Sequence, residues 1–266
     1  MRDDLPEDPL PEGRLLVESG ELVAGSMSRT AAGLLFGAAS AAVRLEDRWA
    51  ACLRDAATSA AAVGAPRERM RAGAALAFAT ELVVTRTRQG RPVRDDGFFT
   101  PDGRRRSPAD ELAEAVVLAA RRSTDERWVR HLGYLLGEVA VSPDVDAGLA
   151  GRALRTAAGL GWRQLALLAG VGRRDRVPLP MAPLSDEPRP WTAWGAREDV
   201  ADLQRAGLLD PPVAAPRLGG AAQPRLRAAD LRLTRRGVLL HRLLVLDFVR
   251  DDAVAAALAD LGLPRS

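Results

Sequence analysis

Three short runs indicate the fold of the second half of the chain, namely GWRQLALL at residues 161–168, DVADLQRAGLL at 199–209 and LRLTRRGVLL at 231–240. The first run is apolar over two helical turns, which predicts a buried helix. The second reaches Gly207, and a glycine directly after a periodic run is typical of a helix C-terminus. The third alternates Leu231 and Leu233 before Thr234, so it predicts a strand that feeds a capped helix. The predicted order is helix, helix, β-hairpin, helix.

This order is the layout of a winged-helix module. Residues 202–209 together with 231–240 resemble the closing half of many bacterial winged-helix proteins. A wider similarity covers residues 107–244. Its order is capped helices first, then the run Gln-Leu-x-Leu-Leu at 164–168, then the two runs 202–209 and 231–240. This order is similar to that of helical proteins of the abortive-infection alpha type. The resemblance implies a bacterial accessory or phage-defence setting, and it carries no catalytic residues to this chain.

The whole sequence predicts a mainly α protein in three parts. Residues 1–12 are acidic and contain three prolines, which predicts a disordered leader. Residues 13–160 are rich in alanine and leucine, and three serines stand where helix N-caps are expected, namely Ser107, Ser123 and Ser142. A helical bundle is therefore predicted there. Residues 161–266 are predicted to form the winged-helix-like module with its short β-hairpin.

The residue types present restrict the chemistry of the chain. All 38 basic side chains are arginines, and a chain without lysine forms no Schiff base and no phosphate loop of the Walker type. Cys52 is the only cysteine, which excludes an internal disulfide and a cysteine-based zinc site. His131 and His241 stand apart, without a metal-binding motif. We predict no catalytic residue, metal or cofactor, while an uncharacterised enzyme stays open as an alternative.

Positive charge is concentrated in one predicted loop at residues 86–106, which holds seven arginines and three aspartates. If the chain binds nucleic acid, this loop and the predicted wing supply the phosphate contacts. The helix that would enter a DNA groove, residues 196–206, is a poor candidate because its exposed positions are mostly acidic. The candidate contacts to phosphate are Arg104, Arg105, Arg106, Arg217, Arg225, Arg227 and Arg232.

A proline-rich stretch at residues 170–196 interrupts the second half, and its two tryptophans are expected to anchor it onto the core. The same residues and two neighbouring arginines are the candidate partner contacts, namely Trp191, Trp194, Arg197 and Arg205. We predict a non-enzymatic bacterial regulatory or accessory protein that acts through protein–protein contacts or self-association. The alternative is a winged-helix DNA-binding regulator. No signal peptide or membrane span is predicted, which indicates a cytoplasmic protein.

Overall fold

The structure, a computed structural model, describes residues 43–62, 65–184, 190–210 and 227–262. This part of the chain forms nine α-helices and two short 3-10 helices, and it contains no β-strand, only three isolated β-bridges. The chain divides into two compact units, one ending at Ala158 and the other starting at Gly159. The prediction of a mainly helical protein is confirmed, whereas the predicted disordered leader at 1–12 lies outside the described residues.

The first unit contains five described helices, which are α1 (Val43–Ala62), α2 (Pro66–Arg88), α3 (Pro108–Arg122), α4 (Glu126–Ala140) and α5 (Ala147–Ala158). Helix α4 is the centre of this unit, because twelve of its fifteen residues are buried. Helices α2, α3 and α5 pack around it. An amphipathic surface helix buries only one face, so this degree of burial marks α4 as a core helix.

Two glycines bring α4 unusually close to α2. A Cβ atom added at Gly133 would lie 2.3 Å from the carbonyl oxygen of Ala75, and one added at Gly137 would lie 2.7 Å from that of Ala79. Real Cβ atoms do not approach backbone oxygens so closely. The two glycines, one turn apart, therefore allow the two helix backbones to meet at the centre of the unit.

Local capping signals are confirmed in part. The hydroxyl of Ser107 accepts a hydrogen bond from the backbone N–H of Asp110 at 3.1 Å, as predicted for the start of α3. The caps predicted at Ser123 and Ser142 are wrong. Helix α4 is capped by Asp125, whose carboxylate accepts from the Arg127 N–H at 3.0 Å. Helix α5 begins at Ala147, and the Asp146 carboxylate accepts from the Leu149 N–H at 2.7 Å. The Ser142 N–H donates to the Val139 carbonyl, so this serine continues the last turn of α4.

The second unit contains four described helices, which are α6 (Trp162–Gly172), α7 (Trp191–Arg205), α8 (Arg235–Leu243) and α9 (Asp251–Asp260), with 3-10 helices at Ala228–Asp230 and Leu246–Phe248. Helix α6 is its core, since every residue from Gln164 to Val171 is buried. Helices α7, α8 and α9 each contact α6. The apolar run that opens the second half of the sequence thus forms the predicted helix, and the structure places that helix at the centre of the unit.

The winged-helix prediction is wrong for the described residues. Leu209 and Leu233 pair in one antiparallel bridge, with Asp210 N–H donating to the Arg232 carbonyl at 2.9 Å, and the pairing extends no further among described residues. Only residues 231–234 lie between the 3-10 helix at Ala228–Asp230 and the start of α8, so any strand in this position is short. Residues 211–226, the predicted wing, lie outside the described part of the chain.

Two local signals of the same prediction are confirmed. The Thr234 hydroxyl accepts from the Gly237 N–H at 3.0 Å and caps α8. Gly207 has a φ of +66°, the left-handed conformation that ends a helix and that glycine adopts at no steric cost. The end of α7 and the start of α8 were therefore predicted correctly, although the strands between them were not. The predicted start of α7 at residue 196 is wrong, because the helix begins at Trp191.

Candidate interaction surface

Helix α7 has one buried face and one exposed stripe. The buried face carries small and aliphatic residues at helical spacing, which are Ala193, Ala196, Val200 and Leu203. The opposite stripe follows the same spacing, with steps of three or four residues, and consists of Trp191, Trp194, Glu198, Asp202 and Arg205. We call this set the α7 stripe. Its first two members are apolar and its last three are charged.

The apolar end of the α7 stripe is a pair of exposed tryptophans. The rings of Trp191 and Trp194 meet edge to face, with centroids 5.9 Å apart and planes at 85°. Trp191 is 81% exposed and Trp194 is 50% exposed. The prediction that these tryptophans anchor the proline-rich stretch to the core is therefore wrong. Their indole rings contact each other and leave most of their surface to solvent.

The charged end of the α7 stripe is an intramolecular cluster. The Arg205 guanidinium bonds to the Asp202 carboxylate and lies 3.8 Å from that of Glu198. All three side chains are about half exposed, so the ion pairs contribute little to stability. Arg197, the remaining candidate on this helix, is half-buried. Of the four predicted partner contacts, the structure thus brings the tryptophans and Arg205 onto one stripe.

The helix that carries the stripe is held firmly in the second unit. The Arg163 guanidinium of α6 bonds to the Asp199 carboxylate of α7 at 2.5 Å and to the Asp260 carboxylate of α9 at 3.4 Å. Gly195 makes room for it, because a Cβ there would lie 3.1 Å from an Arg163 nitrogen. One arginine therefore ties three helices together and fixes the orientation of the exposed stripe.

The arginines predicted to contact phosphate are mostly engaged within the protein. Arg106 bonds to the carboxylates of Asp55 and Glu114. Arg227 forms a two-point ion pair with Asp230, and Arg232 donates to backbone carbonyls. Among the candidates that the structure describes, Arg104 and Arg105 are exposed and their side chains bond to no other described residue. The other two, Arg217 and Arg225, lie outside the described residues.

The rest of the arginine-rich segment has a structural role that the sequence did not reveal. Arg86 and Arg91 bond to the two oxygens of the Glu138 carboxylate, at 2.9 and 2.8 Å. Arg94 is buried, bonds to Asp96 and donates to the Val145 carbonyl at 2.7 Å. These contacts attach the segment to the C-terminal end of α4. The only signal in the sequence was an acid, Glu138, in the otherwise apolar second half of the helix.

The two histidines and the cysteine are packed among other side chains and do not lie together in one site. His131 is buried against the rings of Trp128 and Tyr134. Burial raises the pKa of the Cys52 thiol, and the neighbouring Asp110 carboxylate raises it further. Burial lowers the pKa of His241, whose imidazole lies against Gly172. Within the described residues, no group of three His, Cys, Asp or Glu side chains is arranged to hold a metal ion.

Comparisons with known proteins identify no relative: no family model, curated protein or solved structure matches this chain. Together with the absence of strands from the described residues, this result overturns the similarity to abortive-infection alpha-type proteins, and the phage-defence setting rested on that similarity alone. None of the described helices has the length and apolar character needed to cross a membrane.

Proposed function

We propose that this chain is a non-enzymatic accessory or regulatory protein that binds a protein partner through the Trp191–Trp194 pair. The observation that supports the proposal is the exposure of two adjacent tryptophans, 81% and 50%, on a helix that is otherwise well anchored. Single exposed apolar residues are ordinary, but adjacent large ones mark interaction sites. Tryptophan is also the residue type most enriched among those that dominate binding energy at protein interfaces.

The energetics favour a covered pair. Full burial of a tryptophan removes about 150–250 Å² from water, which corresponds to a gross driving force of about 4–6 kcal/mol. Trp194, which is 50% exposed, supplies about half of that amount. Association costs a similar amount or more in lost translational and rotational freedom. Two tryptophans on one rigid helix therefore supply enough apolar surface to anchor a specific contact, provided that polar groups around them are also matched.

The test compares partner capture by three forms of the full chain. The first is the wild type, the second is Trp191→Ser with Trp194→Ser, and the control is Leu118→Ser with Val238→Ser, which removes two other exposed apolar side chains. Proteins retained from lysate of the source cells are identified by mass spectrometry. The strongest binder is then purified, and its Kd for each form is measured by calorimetry.

We expect the tryptophan variant to bind the purified partner at least about 30-fold more weakly than wild type, the effect of losing a dominant interface residue. The control variant should bind within about threefold of wild type, since scattered apolar side chains contribute little. Equal affinity of the wild type and the tryptophan variant would refute the proposal, as would capture of no specific protein.

A further inference from the structure

The α7 stripe joins an aromatic surface to an acidic one. Trp191 and Trp194 occupy its first turn, and Glu198 and Asp202 follow at one-turn intervals on the same side of the helix. A ligand lying along the helix would meet the indole rings first and the two carboxylates next. The chemistry of these two parts restricts what such a ligand can be.

The aromatic part favours positive charge. In the edge-to-face contact between the tryptophans, the edge of one ring meets the face of the other, so most of the π surface stays open. The face of an indole ring attracts guanidinium and ammonium groups more strongly than any other aromatic side chain does. Arginine and lysine side chains also bring an apolar stem that covers the ring.

The acidic part favours positive charge as well. Glu198 and Asp202 share a single cation, Arg205, so the charged end of the stripe retains a net charge of −1. The remaining acid of α7, Asp199, is already bonded to Arg163. An acidic partner, or the phosphates of a nucleic acid, would be repelled where the carboxylates lie.

We propose that the segment bound by the α7 stripe is a cationic one: a stretch of the partner protein whose arginine or lysine side chains stack on Trp191 and Trp194 and pair with Glu198 and Asp202. This inference rests on the proposed function and specifies its partner. The first cation lies over the indole rings, and a second, one or two helical turns further along, bonds to the carboxylates. Apolar side chains between them cover the edges of the rings.

The test uses three short synthetic peptides that carry a fluorescent label. They share the same apolar residues, while their polar positions hold arginine, the neutral glutamine or glutamate. Binding to the full chain is measured by fluorescence anisotropy at low and high salt. The protein forms are the wild type, Trp191→Ser with Trp194→Ser, and Glu198→Gln with Asp202→Asn. The control, Asp55→Asn with Glu114→Gln, makes the same change in net charge on the first unit.

The arginine peptide should bind the wild type about tenfold more tightly than the glutamine peptide, and the glutamate peptide should bind most weakly. The Glu198/Asp202 variant should lose about fivefold in affinity for the arginine peptide and show a smaller salt dependence, because exposed ion pairs contribute up to about that factor. The tryptophan variant should lose at least as much, and the Asp55/Glu114 control should behave as the wild type.

Equal binding of the arginine and glutamate peptides, or no effect of the Glu198/Asp202 substitutions, would overturn the cationic assignment. Sedimentation that shows α7-dependent self-association without peptide binding would also overturn it, since the occupant would then be a second copy. The two proposals fail separately. If the natural partner is still lost from the tryptophan variant while charge has no effect, only the cationic assignment falls.

Discussion

At the scale of single residues, the most consequential side chain of the first unit is a buried acid. The Glu138 side chain is only 1% exposed, and both of its carboxylate oxygens accept bonds from arginines far away in the sequence. Taking a carboxylate out of water is costly unless it is paired in this way. The first unit is therefore stable only when the arginine-rich segment lies where Arg86 and Arg91 can bond to Glu138.

Replacing Glu138 with glutamine should lower the free energy of unfolding by about 2 kcal/mol, since a hydrogen bond to a charged group contributes about 1.5–3 kcal/mol and Arg91 can recover some solvation. Urea denaturation followed by circular dichroism measures the change. The control is Glu114→Gln, which removes an exposed carboxylate from Arg106 and should cost less than about 0.5 kcal/mol. Equal effects of the two substitutions would contradict the argument.

The second residue-scale prediction concerns His241 and pH. Burial lowers the pKa of this imidazole, the nearby Arg173 and Arg176 lower it further, and Asp247 opposes them. In the unfolded chain the group titrates near its usual value of about 6.5. As pH falls through that value, the unfolded state takes up a proton that the folded state resists, so stability declines.

The free energy of unfolding should therefore decrease between about pH 7 and pH 5. The variant His241→Gln isolates the effect, because its unfolding energy should vary less over that range than that of the wild type. Urea denaturation at several pH values gives both slopes. His131, the other histidine of the chain, is present in both proteins and cancels in the comparison. Identical slopes would show that His241 titrates normally.

At the scale of elements, the first unit depends on the close crossing of α2 and α4. Gly133 and Gly137 weaken an isolated α4, because glycine in a helix is unfavourable by about 1 kcal/mol relative to alanine. They stabilise the folded unit instead, because the lack of a side chain lets α4 contact the α2 backbone at Ala75 and Ala79. The helix accepts a local cost, and the packing of two core helices offsets it.

Gly133→Ala should consequently destabilise the protein by about 1–3 kcal/mol, because the new methyl group would overlap the Ala75 carbonyl oxygen. Gly151→Ala on α5 is the matched control. The nearest atom there is the end of the flexible Arg155 side chain at 3.5 Å, so the gain in helix propensity should stabilise the protein by up to about 1 kcal/mol. Thermal unfolding of both variants should shift in opposite directions.

The start of α8 gives a second prediction at this scale. The Thr234 hydroxyl accepts from Gly237 N–H and donates to the Gly207 carbonyl at 2.6 Å, so it joins the start of α8 to the end of α7. Thr234→Ala should cost about 1–2 kcal/mol in unfolding free energy. Thr192→Ala, at an exposed position of α7, should change stability by less than about 0.5 kcal/mol. Similar costs would argue against the cap.

At the scale of the whole molecule, the formal charge overstates how many arginine side chains are available to bind phosphate. The chain carries a net charge of +3, and its arginine-rich segment looks suited to nucleic acid. Most of the described candidate arginines nevertheless bond to carboxylates or backbone carbonyls of the same chain. A phosphate would have to replace those partners, which reduces its gain on binding.

Binding to a random DNA duplex should accordingly be weak. Three of the seven candidate arginines bond to carboxylates or carbonyls of the same chain, so at most four remain for phosphate contacts: Arg104, Arg105 and the two outside the described residues. The slope of log affinity against log salt should thus be no steeper than about −4. Fluorescence anisotropy at several salt concentrations gives the slope. A steeper slope, or a duplex bound about 1,000-fold more tightly than random sequence, would favour a nucleic-acid function instead.

Features that depend on neighbours within a few positions could be predicted from the amino-acid sequence. The helical character of the chain, the cap at Ser107, the cap at Thr234 and the helix end at Gly207 all follow from contacts spanning three or four residues. Such contacts form whenever the local backbone adopts a helix, so the residues that make them can be identified from the sequence alone. The sequence also singled out Trp191 and Trp194, although it assigned them the wrong surroundings.

Contacts between residues that lie far apart in the sequence could not be predicted in this way, because they depend on how the helices pack. The alternation of Leu231 and Leu233 produces one bridge rather than the predicted strand, because a strand also needs a paired segment, which the alternation does not specify. Glu138 finds Arg86 across 52 positions, and the tryptophans remain in solvent because alanines and aliphatic residues fill the buried face of α7. Burial and long-range pairing depend on how the helices approach one another, and no short sequence pattern specifies that approach.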